Sequence, residues 1–415
     1  VVTLECWYEM KKIFSKSSSK AALVFLGFAL CLIIYFAMGE VSYVNPEGEG
    51  TKGIAAARHL EKEKEKWKGT LTTERLQQVI RENNKVNQSP QAKSENTKEN
   101  DQAFSRKQGF SDIRELLNKA FTGFQEYDYF RADTLTEEEA GQFYKKRTEN
   151  LKAWLAEEGG GADQFTKTEK EFLVNQYKSL ETPWYYESSD GFDAWFTWSP
   201  TICMLVVLTV GFLVSGIFSC EKRYRAASVY FASYHGRKKA VLAKIKAGVL
   251  TATLVYWGIM LLYSAVVLGC LGLQGSQCVI QTQFGKWKSF YAMTIGQEYA
   301  YILLGGYIGC LFFTLLTMLI SSWSHSGTAA VIVPFALILA PSFLAETQIP
   351  FVDKILGLLP DQLLQVELVI SHFSLYSLGG KIIGALPVLL VLYSVLCAGL
   401  LPVVYRIYRR KEVRE

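Results

Sequence analysis

The sequence predicts an all-α, polytopic membrane protein with six transmembrane helices and a mainly helical extracellular domain inserted between helices one and two. Half of its 415 residues are hydrophobic and only 20% are charged. Six apolar segments are long enough to cross a bilayer, which takes about 20 residues. The stretch 40–193 holds 29 of the 39 acidic and 23 of the 44 basic residues. This distribution excludes a fully soluble enzyme and a nucleic-acid-binding domain.

The six spans are predicted from runs without charged residues, because a helix in lipid must satisfy its backbone hydrogen bonds within itself. The second span is expected to begin at Ser199 and Pro200, an N-cap followed by proline at the first helical position. The uncharged run 299–345 has room for two helices, which are expected to separate near 321–327. The predicted transmembrane helices are 21–39, 199–220, 247–270, 299–320, 328–345 and 382–405.

Basic residues near the ends of the spans predict the orientation. Residues 1–20 carry four lysines, and 221–247 carry eight bases against one acid. By the positive-inside rule these segments are cytoplasmic. Both termini are therefore expected inside the cell, in a multi-pass protein of the cytoplasmic membrane. The remaining predicted segments are a cytoplasmic interfacial helix (1–20), the extracellular domain (40–195), extracellular interfacial or re-entrant helices (346–381) and a basic cytoplasmic tail (406–415).

The polar block 40–195 is expected to be helical. Thr136 with Glu139, and Thr166 with Glu169, have the spacing of capping boxes. By contrast, 85–101 has almost no apolar residues and is expected to be a mobile loop.

Two further observations concern the surface and the origin of this block. The alternating Glu-Lys run 61–66 is most simply a solvated helix face. The block contains no cysteine. An extracellular domain without disulfides suits a Gram-positive bacterium, which lacks a strongly oxidising exterior compartment.

The sequence carries no motif for catalysis. It has no GxxxxGK[ST] phosphate loop, and Gly379-Gly380-Lys381 lacks both the first glycine and the following hydroxyl. None of the four histidines has the spacing of a metal ligand, and no GxSxG elbow is present. We therefore expect a protein that is not an enzyme and that holds no cofactor or metal of its own. Energy for any transport would come from a partner.

The most informative segment is the predicted cytoplasmic loop 221–246. It is predicted as a helix, a turn at His235-Gly236, and a second helix that runs through Lys244 into the membrane. A plain connector can be far shorter. Its aromatic residues, mixed with arginine, have the composition of a protein contact. A basic segment lying on anionic lipid explains the composition equally well, so both interpretations remain open on composition alone.

This loop resembles the coupling segment of type-2 exporter permeases of ATP-binding-cassette (ABC) transporters. In that family an acidic residue ends the second span, a short helix docks on the ATPase, and a Ser-x-x-Gly-Arg-Lys-Lys-like turn and a further lysine lead into the third span. The residues that match this pattern are Glu221, Ser233, Gly236, Arg237, Lys238, Lys239 and Lys244.

Two other parts of the chain extend the resemblance, and one departs from it. Residues 9–14 are similar to the N-terminal interfacial helix of the family, and the large block between the first two spans resembles Firmicutes members. The chain departs from the pattern at 225–227, where many members carry glycine followed by a small hydroxyl residue.

The resemblance implies a permease subunit that works as half of a homo- or heterodimer in the lipid membrane, with no nucleic-acid partner. Separate cassette ATPase subunits would be its partners, and ATP and Mg would bind to those subunits. The residues implied in ATPase coupling are Glu221, Tyr224, Tyr230, Phe231, Ser233, Gly236, Arg237, Lys238, Lys239 and Lys244. A membrane-anchored receptor or scaffold with a ligand-sensing extracellular domain remains the alternative.

Three further features are open to two interpretations each. Glu298, preceded by Thr294 and Gln297, either lies on a substrate path or favours a helix N-terminus. Cys270 and Cys278 are near enough in sequence to pair, although two unpaired thiols are the simpler expectation. An aromatic cluster either forms a belt at the membrane surface or lines a substrate entrance. Its members are Trp184, Tyr185, Tyr186, Phe192, Trp195, Phe196 and Trp198.

Overall fold

The structure is a computed structural model that describes residues 4–220, 238–324, 326–344 and 350–409. Its described residues are mostly helical, which confirms the predicted fold class at that level. The helices are α1 (Leu4–Ser15), α2 (Ser17–Glu40), α3 (Ile54–Glu65), α4 (Thr73–Asn87), α5 (Thr97–Ser105), α6 (Ser111–Phe121), α7 (Phe143–Ala156), α8 (Gly161–Gln164), α9 (Lys167–Ser179), α10 (Asp190–Val214), α11 (Lys239–Leu271), α12 (Ile295–Ser324), α13 (Gly327–Leu344), α14 (Pro350–Leu356), α15 (Val366–Ser371) and α16 (Ala385–Arg409).

Short strands pair as antiparallel hairpins or ribbons beside these helices. The pairs are β1 (Ser42–Val44) with β2 (Gly50–Lys52), β3 (Gly69–Thr70) with β4 (Tyr185–Tyr186), and β5 (Leu375–Leu378) with β6 (Lys381–Gly384). Each pair is too short to carry a core of its own. The strands therefore join helical segments and do not form a separate layer.

Among the described residues, five helices are long and apolar enough to cross a membrane, namely α2, α10, α11, α12 and α16. The helix α13 is also apolar but shorter. Large apolar side chains such as Phe25 and Phe28 on α2, and Val391 and Val395 on α16, are exposed on the surface of the bundle. Exposed patches of this kind are unfavourable in water and are satisfied by lipid. The chain is thus compatible with a multi-pass membrane protein.

The helix α12 lies at the centre of the bundle and packs against α10, α11, α13 and α16. Small residues allow the close packing on α11: a Cβ on Gly306 would lie 2.5 Å from the hydroxyl oxygen of Tyr256. That hydroxyl donates to the carbonyl of Leu303 at 2.8 Å. The separation of α12 from α13 between Ser324 and Gly327 confirms the predicted break in this apolar run.

The segment after α13 folds back against the bundle. The 3₁₀ turn Pro360–Leu364 packs on α12. A Cβ atom on Gly305 would lie 2.6 Å from the side chain of Val366, and one on Gly309 would lie 3.0 Å from that of Leu364. Gly309 is about four turns, or about 20 Å, from the start of α12. The turn therefore reaches deep along the helix.

The prediction of helices throughout 346–381 is incomplete, because part of this segment is a β-hairpin. Strands β5 and β6 pair through Gly379 and Gly380, whose φ angles are +57° and +80°. Two consecutive positive φ angles match the twist of a tight hairpin and favour glycine at both positions. The Gly-Gly pair was the available signal for this turn.

Residues 41–189, the polar domain, have two small hydrophobic cores beside the large core of the bundle. Both small cores include residues from outside the domain, with Trp287 in one and Phe290 and Leu375 in the other. The polar domain therefore packs on the connections 272–294 and 366–384. We call this end of the bundle the polar-domain end and the opposite one, where α1 lies, the α1 end.

The predicted start of the second span at Ser199-Pro200 is wrong. The helix α10 begins at Asp190, and Pro200 lies inside it. Pro200 cannot donate to the carbonyl of Phe196, but the hydroxyl of Ser199 donates to that carbonyl at 3.1 Å. The helix continues because a side chain replaces the missing backbone donor.

Two predictions about the polar block are also corrected. The segment 85–101, expected to be a mobile loop, is mostly helical: α4 extends to Asn87, the 3₁₀ turn Gln91–Lys93 follows, and α5 begins at Thr97. The polar residues of this segment supply their own cap, because the side chain of Asn96 accepts from the N–H of Lys98 at 3.0 Å. The run 61–66 is not uniformly solvated, because Lys64 is buried.

Both predicted capping boxes are confirmed. The Thr166 box starts α9, and the Thr136 box starts a 3₁₀ segment, Glu137–Gln142, that leads into α7. Local signals of this kind act within one turn, so the surrounding fold does not alter them.

Candidate functional site

The α1 end contains a buried lysine that joins three helices. Lys244, on the second turn of α11, is completely buried. Its ammonium pairs with the Glu9 carboxylate of α1 at 3.3 Å and donates to the carbonyl of Ile217, just after α10, at 2.7 Å. A buried cation requires such partners, because its desolvation is costly. The pair thus fixes α1 and the end of α10 to the start of α11.

The helix α1 is held by apolar contacts as well. Cys6, Met10 and Ile13 are buried at helical spacing, and α1 packs mainly on α11. The opposite face carries exposed groups, including Trp7 and Tyr8. An amphipathic helix with exposed aromatic residues at the end of a bundle has the composition of an interfacial helix.

The end of α10 is fixed by two further contacts. The hydroxyl of Ser321 on α12 donates to the carbonyl of Ser215 at 2.6 Å. The ring of Phe218 packs on the ring of Tyr408 on α16, with centroids 4.4 Å apart. The segment where α10 ends is therefore tied to α1, α11, α12 and α16 together.

The structure describes three of the ten predicted coupling residues. Lys238 and Lys239 are exposed at the start of α11, and Lys244 is buried below them. The others lie outside the described residues: Glu221, Tyr224, Tyr230, Phe231, Ser233, Gly236 and Arg237. The partnership of Lys244 with Glu9 was missed from the sequence because the two residues are far apart in the chain.

A second cluster lies at the polar-domain end and centres on Lys64. Its ammonium pairs with Asp112 of α6 at 2.8 Å and with Asp190 of α10 at 2.6 Å. The hydroxyl of Tyr186 donates to Asp112 at 2.7 Å. The cluster therefore connects the polar domain to the first turn of the membrane-spanning candidate α10.

The pKa shifts in this cluster follow from burial and pairing. Burial alone would lower the pKa of the Lys64 ammonium, but the two carboxylates outweigh burial and raise it. Burial alone would raise the pKa of the Asp112 carboxyl, but Lys64 and two hydroxyl donors outweigh burial and lower it. Lys64 and Asp112 consequently stay ionised near neutral pH and stabilise the contact.

A cavity of about 360 Å³ lies beside this cluster, between the polar domain, α10 and the connection 272–294. Its acidic lining residues are Asp112, Glu115, Asp193 and Glu367, and Lys286 is its basic residue. Lys286 is buried and pairs with Glu298 and, at 3.2 Å, with Glu367. The cavity is polar, and most of its charges are already engaged with protein partners.

Glu298 has a structural role that neither sequence interpretation fully describes. Thr294 and Gln297 form a reciprocal cap at the start of α12, with hydrogen bonds of 2.9 and 3.2 Å. Glu298 lies in the same first turn, but its side chain is fully buried and pairs with Lys286. The carboxylate thus joins α12 to the connection before it.

The aromatic cluster near α10 lies mostly inside the protein, so the interpretation as a membrane-surface belt is wrong for its buried members. Trp195 is fully buried, and its indole N–H donates to Ser264 at 3.1 Å. Trp184 and Tyr186 belong to a core of the polar domain. Trp198 is partly exposed and bonds to Glu40 at 3.1 Å.

The described part of the chain bears on metal binding and on the state of two cysteines. No group of three or more histidine, cysteine, aspartate or glutamate residues within it can hold a metal ion. Cys270 and Cys278 are both free thiols, as expected.

Comparisons of the chain with protein-family models, with curated proteins and with solved structures find no match.

Proposed function

We propose that this chain is the membrane-spanning permease subunit of an ABC transporter, acting as an exporter together with separate ATPase subunits and a second permease subunit. ATP binding would close the ATPase subunits, and this motion would act on the loop 221–238 to change access between the two permease halves. The expected location is the cytoplasmic membrane of a Gram-positive bacterium, with six spans, both termini in the cytoplasm and the polar domain outside.

The observation that carries this proposal is the anchoring of Lys244. A loop can transmit force from a partner only if both of its ends are fixed to the elements that must move. The loop 221–238 connects the segment after α10 to α11, and Lys244 of α11 binds Ile217 in that segment as well as Glu9 of α1. This geometry supports the role that the resemblance implies for the loop.

Topology gives further support. The described parts of the polar connections after α2, α11 and α13 pack together at the polar-domain end, while the lysines of α1 and of the start of α11 lie at the α1 end. Connections that alternate between the two ends of the bundle are expected when each of the long helices, and α13 as well, crosses the bilayer.

The experiment isolates a cassette ATPase that co-purifies with this chain and reconstitutes the two as a complex. Replacing Tyr230→Asp and Phe231→Asp should leave the protein inserted in the membrane and the ATPase active, while ATP-dependent transport is lost. The matched control is Tyr8→Asp, which changes an exposed aromatic residue of α1. Full transport by the Tyr230/Phe231 variant would refute the assignment of the loop.

One observation favours the alternative, a receptor with a ligand-sensing domain. The 360 Å³ cavity at the polar-domain end touches both the polar domain and α10, so a ligand there would contact both. An adjacent gene for a kinase, and no cassette ATPase that co-purifies with the chain, would favour the receptor. Co-purification with an ATPase whose activity depends on this chain would favour the permease.

A further inference from the structure

Two cavities at the polar-domain end share part of their lining. One is the cavity of about 360 Å³ between the polar domain, α10 and the connection 272–294. The other, of about 320 Å³, lies between the end of α2, the polar domain and α10. Asp193 and Thr197, one turn apart on α10, line both of them. We call the pair the α10 cavities, and each has the volume of a small ligand pocket.

The lining of the α10 cavities is acidic. Its acidic residues are Glu40, Asp112, Glu115, Asp190, Asp193 and Glu367. Among the described lining residues the one base is Lys286. Lys286 and the neighbouring Lys64 and Arg114 pair with four of these carboxylates. The carboxylates outnumber the described cations beside them, so the potential in the cavities is negative.

Two of the carboxylates, Asp193 and Glu40, form no ion pair with any residue that the structure describes. Asp193 accepts from the hydroxyl of Ser189 at 3.0 Å and from the amide of Gln283 at 2.5 Å. Glu40 accepts from the indole N–H of Trp198 at 3.1 Å. Asp193 and Glu40 are both exposed, so a ligand that enters the cavities can reach them.

Gln283 is a separate indication of a ligand. It lines the 360 Å³ cavity and is 4% exposed. Its amide nitrogen donates to Asp193, while its side-chain carbonyl oxygen is buried without a hydrogen-bond partner among the described residues. A buried acceptor without a donor is uncommon, because its desolvation is not compensated. The group that this site lacks is a hydrogen-bond donor, as the unpaired carboxylates also indicate.

Each of the α10 cavities also presents an exposed aromatic ring. Phe284 lines the 360 Å³ cavity and Phe104 lines the 320 Å³ cavity. The face of such a ring attracts an ammonium group. The chain itself makes this contact once here, because the Lys119 ammonium lies 3.9 Å from the centroid of the Phe284 ring. Rings and carboxylates together favour an organic cation.

The separation of the carboxylates argues against a metal ion. Within the described ranges no three histidine, cysteine, aspartate or glutamate side chains are close enough to hold one. A metal ion needs oxygen ligands that converge at about 2.0–2.6 Å. Negative groups that are spread over two neighbouring cavities match instead a ligand whose positive charges are separated by carbon chains.

We propose that the α10 cavities bind an organic polyamine, a small ligand with two or more ammonium groups. One ammonium pairs with Asp193 and donates to the side-chain carbonyl of Gln283, and another pairs with Glu40 in the cavity that Phe104 lines. Such a ligand contacts both the polar domain and α10, whether the chain is a permease or a receptor. The proposal therefore does not rest on the proposed function.

The test measures binding of spermidine to the purified full chain in detergent by isothermal titration calorimetry. Asp193→Asn and Glu40→Gln each remove one negative charge but keep the side-chain volume and an oxygen that accepts from the present donors. Each variant should keep the thermal unfolding midpoint of the natural chain and weaken spermidine binding about tenfold, as expected for the loss of one charge-assisted contact.

The matched control is Glu47→Gln, which removes an exposed charge of the polar domain that does not line the α10 cavities. It should change the affinity less than about twofold, because salt screens an exposed and distant charge. Equal effects of Asp193→Asn and Glu47→Gln, or no spermidine binding by the natural chain, would overturn the proposal.

Two further ligands test the class of the cation. Butylamine, with one ammonium group, should bind at least about tenfold more weakly than spermidine, because it makes one charge-assisted contact fewer. Magnesium chloride should displace spermidine no more than sodium chloride of the same ionic strength. Equal binding of butylamine and spermidine, or stronger displacement by magnesium, would contradict a polyamine site.

Discussion

At the scale of single residues, two buried lysines make the long-range contacts. Lys64 lies at the polar-domain end and Lys244 at the α1 end, and each binds groups from two other segments. The sequence does not show that either lysine is buried, while lysines near them are exposed. The alternation of Glu and Lys around Lys64 predicts a solvated face, and only tertiary packing places one member of the run in the interior.

Replacing Lys64→Met should destabilise the junction between the polar domain and α10. The methionine keeps the volume of the side chain but leaves the carboxylates of Asp112 and Asp190 close together without a cation. Removing one partner of a buried ion network typically costs about 3–5 kcal/mol, and the partial exposure of both carboxylates reduces this to about 2–3 kcal/mol.

Thermal unfolding of the purified chain in detergent measures this effect. Lys62→Met is the matched control, because Lys62 is exposed on the same helix. The control should change the stability by less than about 0.5 kcal/mol. Equal midpoints for the two variants would show that the Lys64 cluster does not stabilise the fold.

At the scale of elements, the apolar runs and the local capping motifs were predictable, and the exact limits of the helices were not. The length of an apolar run predicts a span because lipid permits few alternatives to a helix. The start of α10 was missed because Pro200 resembles a helix start, whereas Ser199 compensates for it inside the helix. The β5–β6 hairpin was missed because its strands are short and only Gly379 and Gly380 indicate the turn.

The Ser199-Pro200 pair can be tested by a double-mutant cycle. In the natural chain, Ser199→Ala leaves the buried carbonyl of Phe196 without a donor and should cost about 1–2 kcal/mol. In the Pro200→Ala background the N–H of residue 200 becomes available to that carbonyl, so Ser199→Ala should cost little. The coupling energy between the two sites, measured by unfolding in detergent, should therefore exceed about 0.5 kcal/mol. Additive effects would contradict the compensation by Ser199.

At the scale of the whole molecule, the candidate site was only partly predictable. The charge pattern and the loop motif predict a partner-binding loop, and Lys244 is one of the ten residues predicted for coupling. The sequence does not reveal that Lys244 binds Glu9, because that contact joins the first helix to a residue more than two hundred positions later. The cavity between the start of α2, the end of α10 and the start of α13 was equally hidden, since its lining comes from three separate helix ends.

The anchoring of α1 provides the last prediction. Lys244→Met removes the ammonium that binds both Glu9 and the carbonyl of Ile217, so α1 should separate more easily from α11. Cys6 reports this opening, because its thiol is fully buried on α1 in the natural chain. A polar maleimide should label Cys6 about tenfold faster in the variant, as expected when local opening becomes about 1.4 kcal/mol easier.

The control for this experiment is Lys20→Met, an exposed lysine in the first turn of α2 at the α1 end. It removes the same charge from the α1 end but no contact to Glu9, so labelling of Cys6, located by mass spectrometry, should stay at the rate of the natural chain. If α1 transmits motion from the loop, the Lys244 variant should also hydrolyse ATP in the reconstituted complex without transporting substrate. Unchanged labelling of Cys6 would mean that apolar packing alone holds α1. Faster labelling with full transport would mean that α1 is anchored by Lys244 but is not needed for coupling.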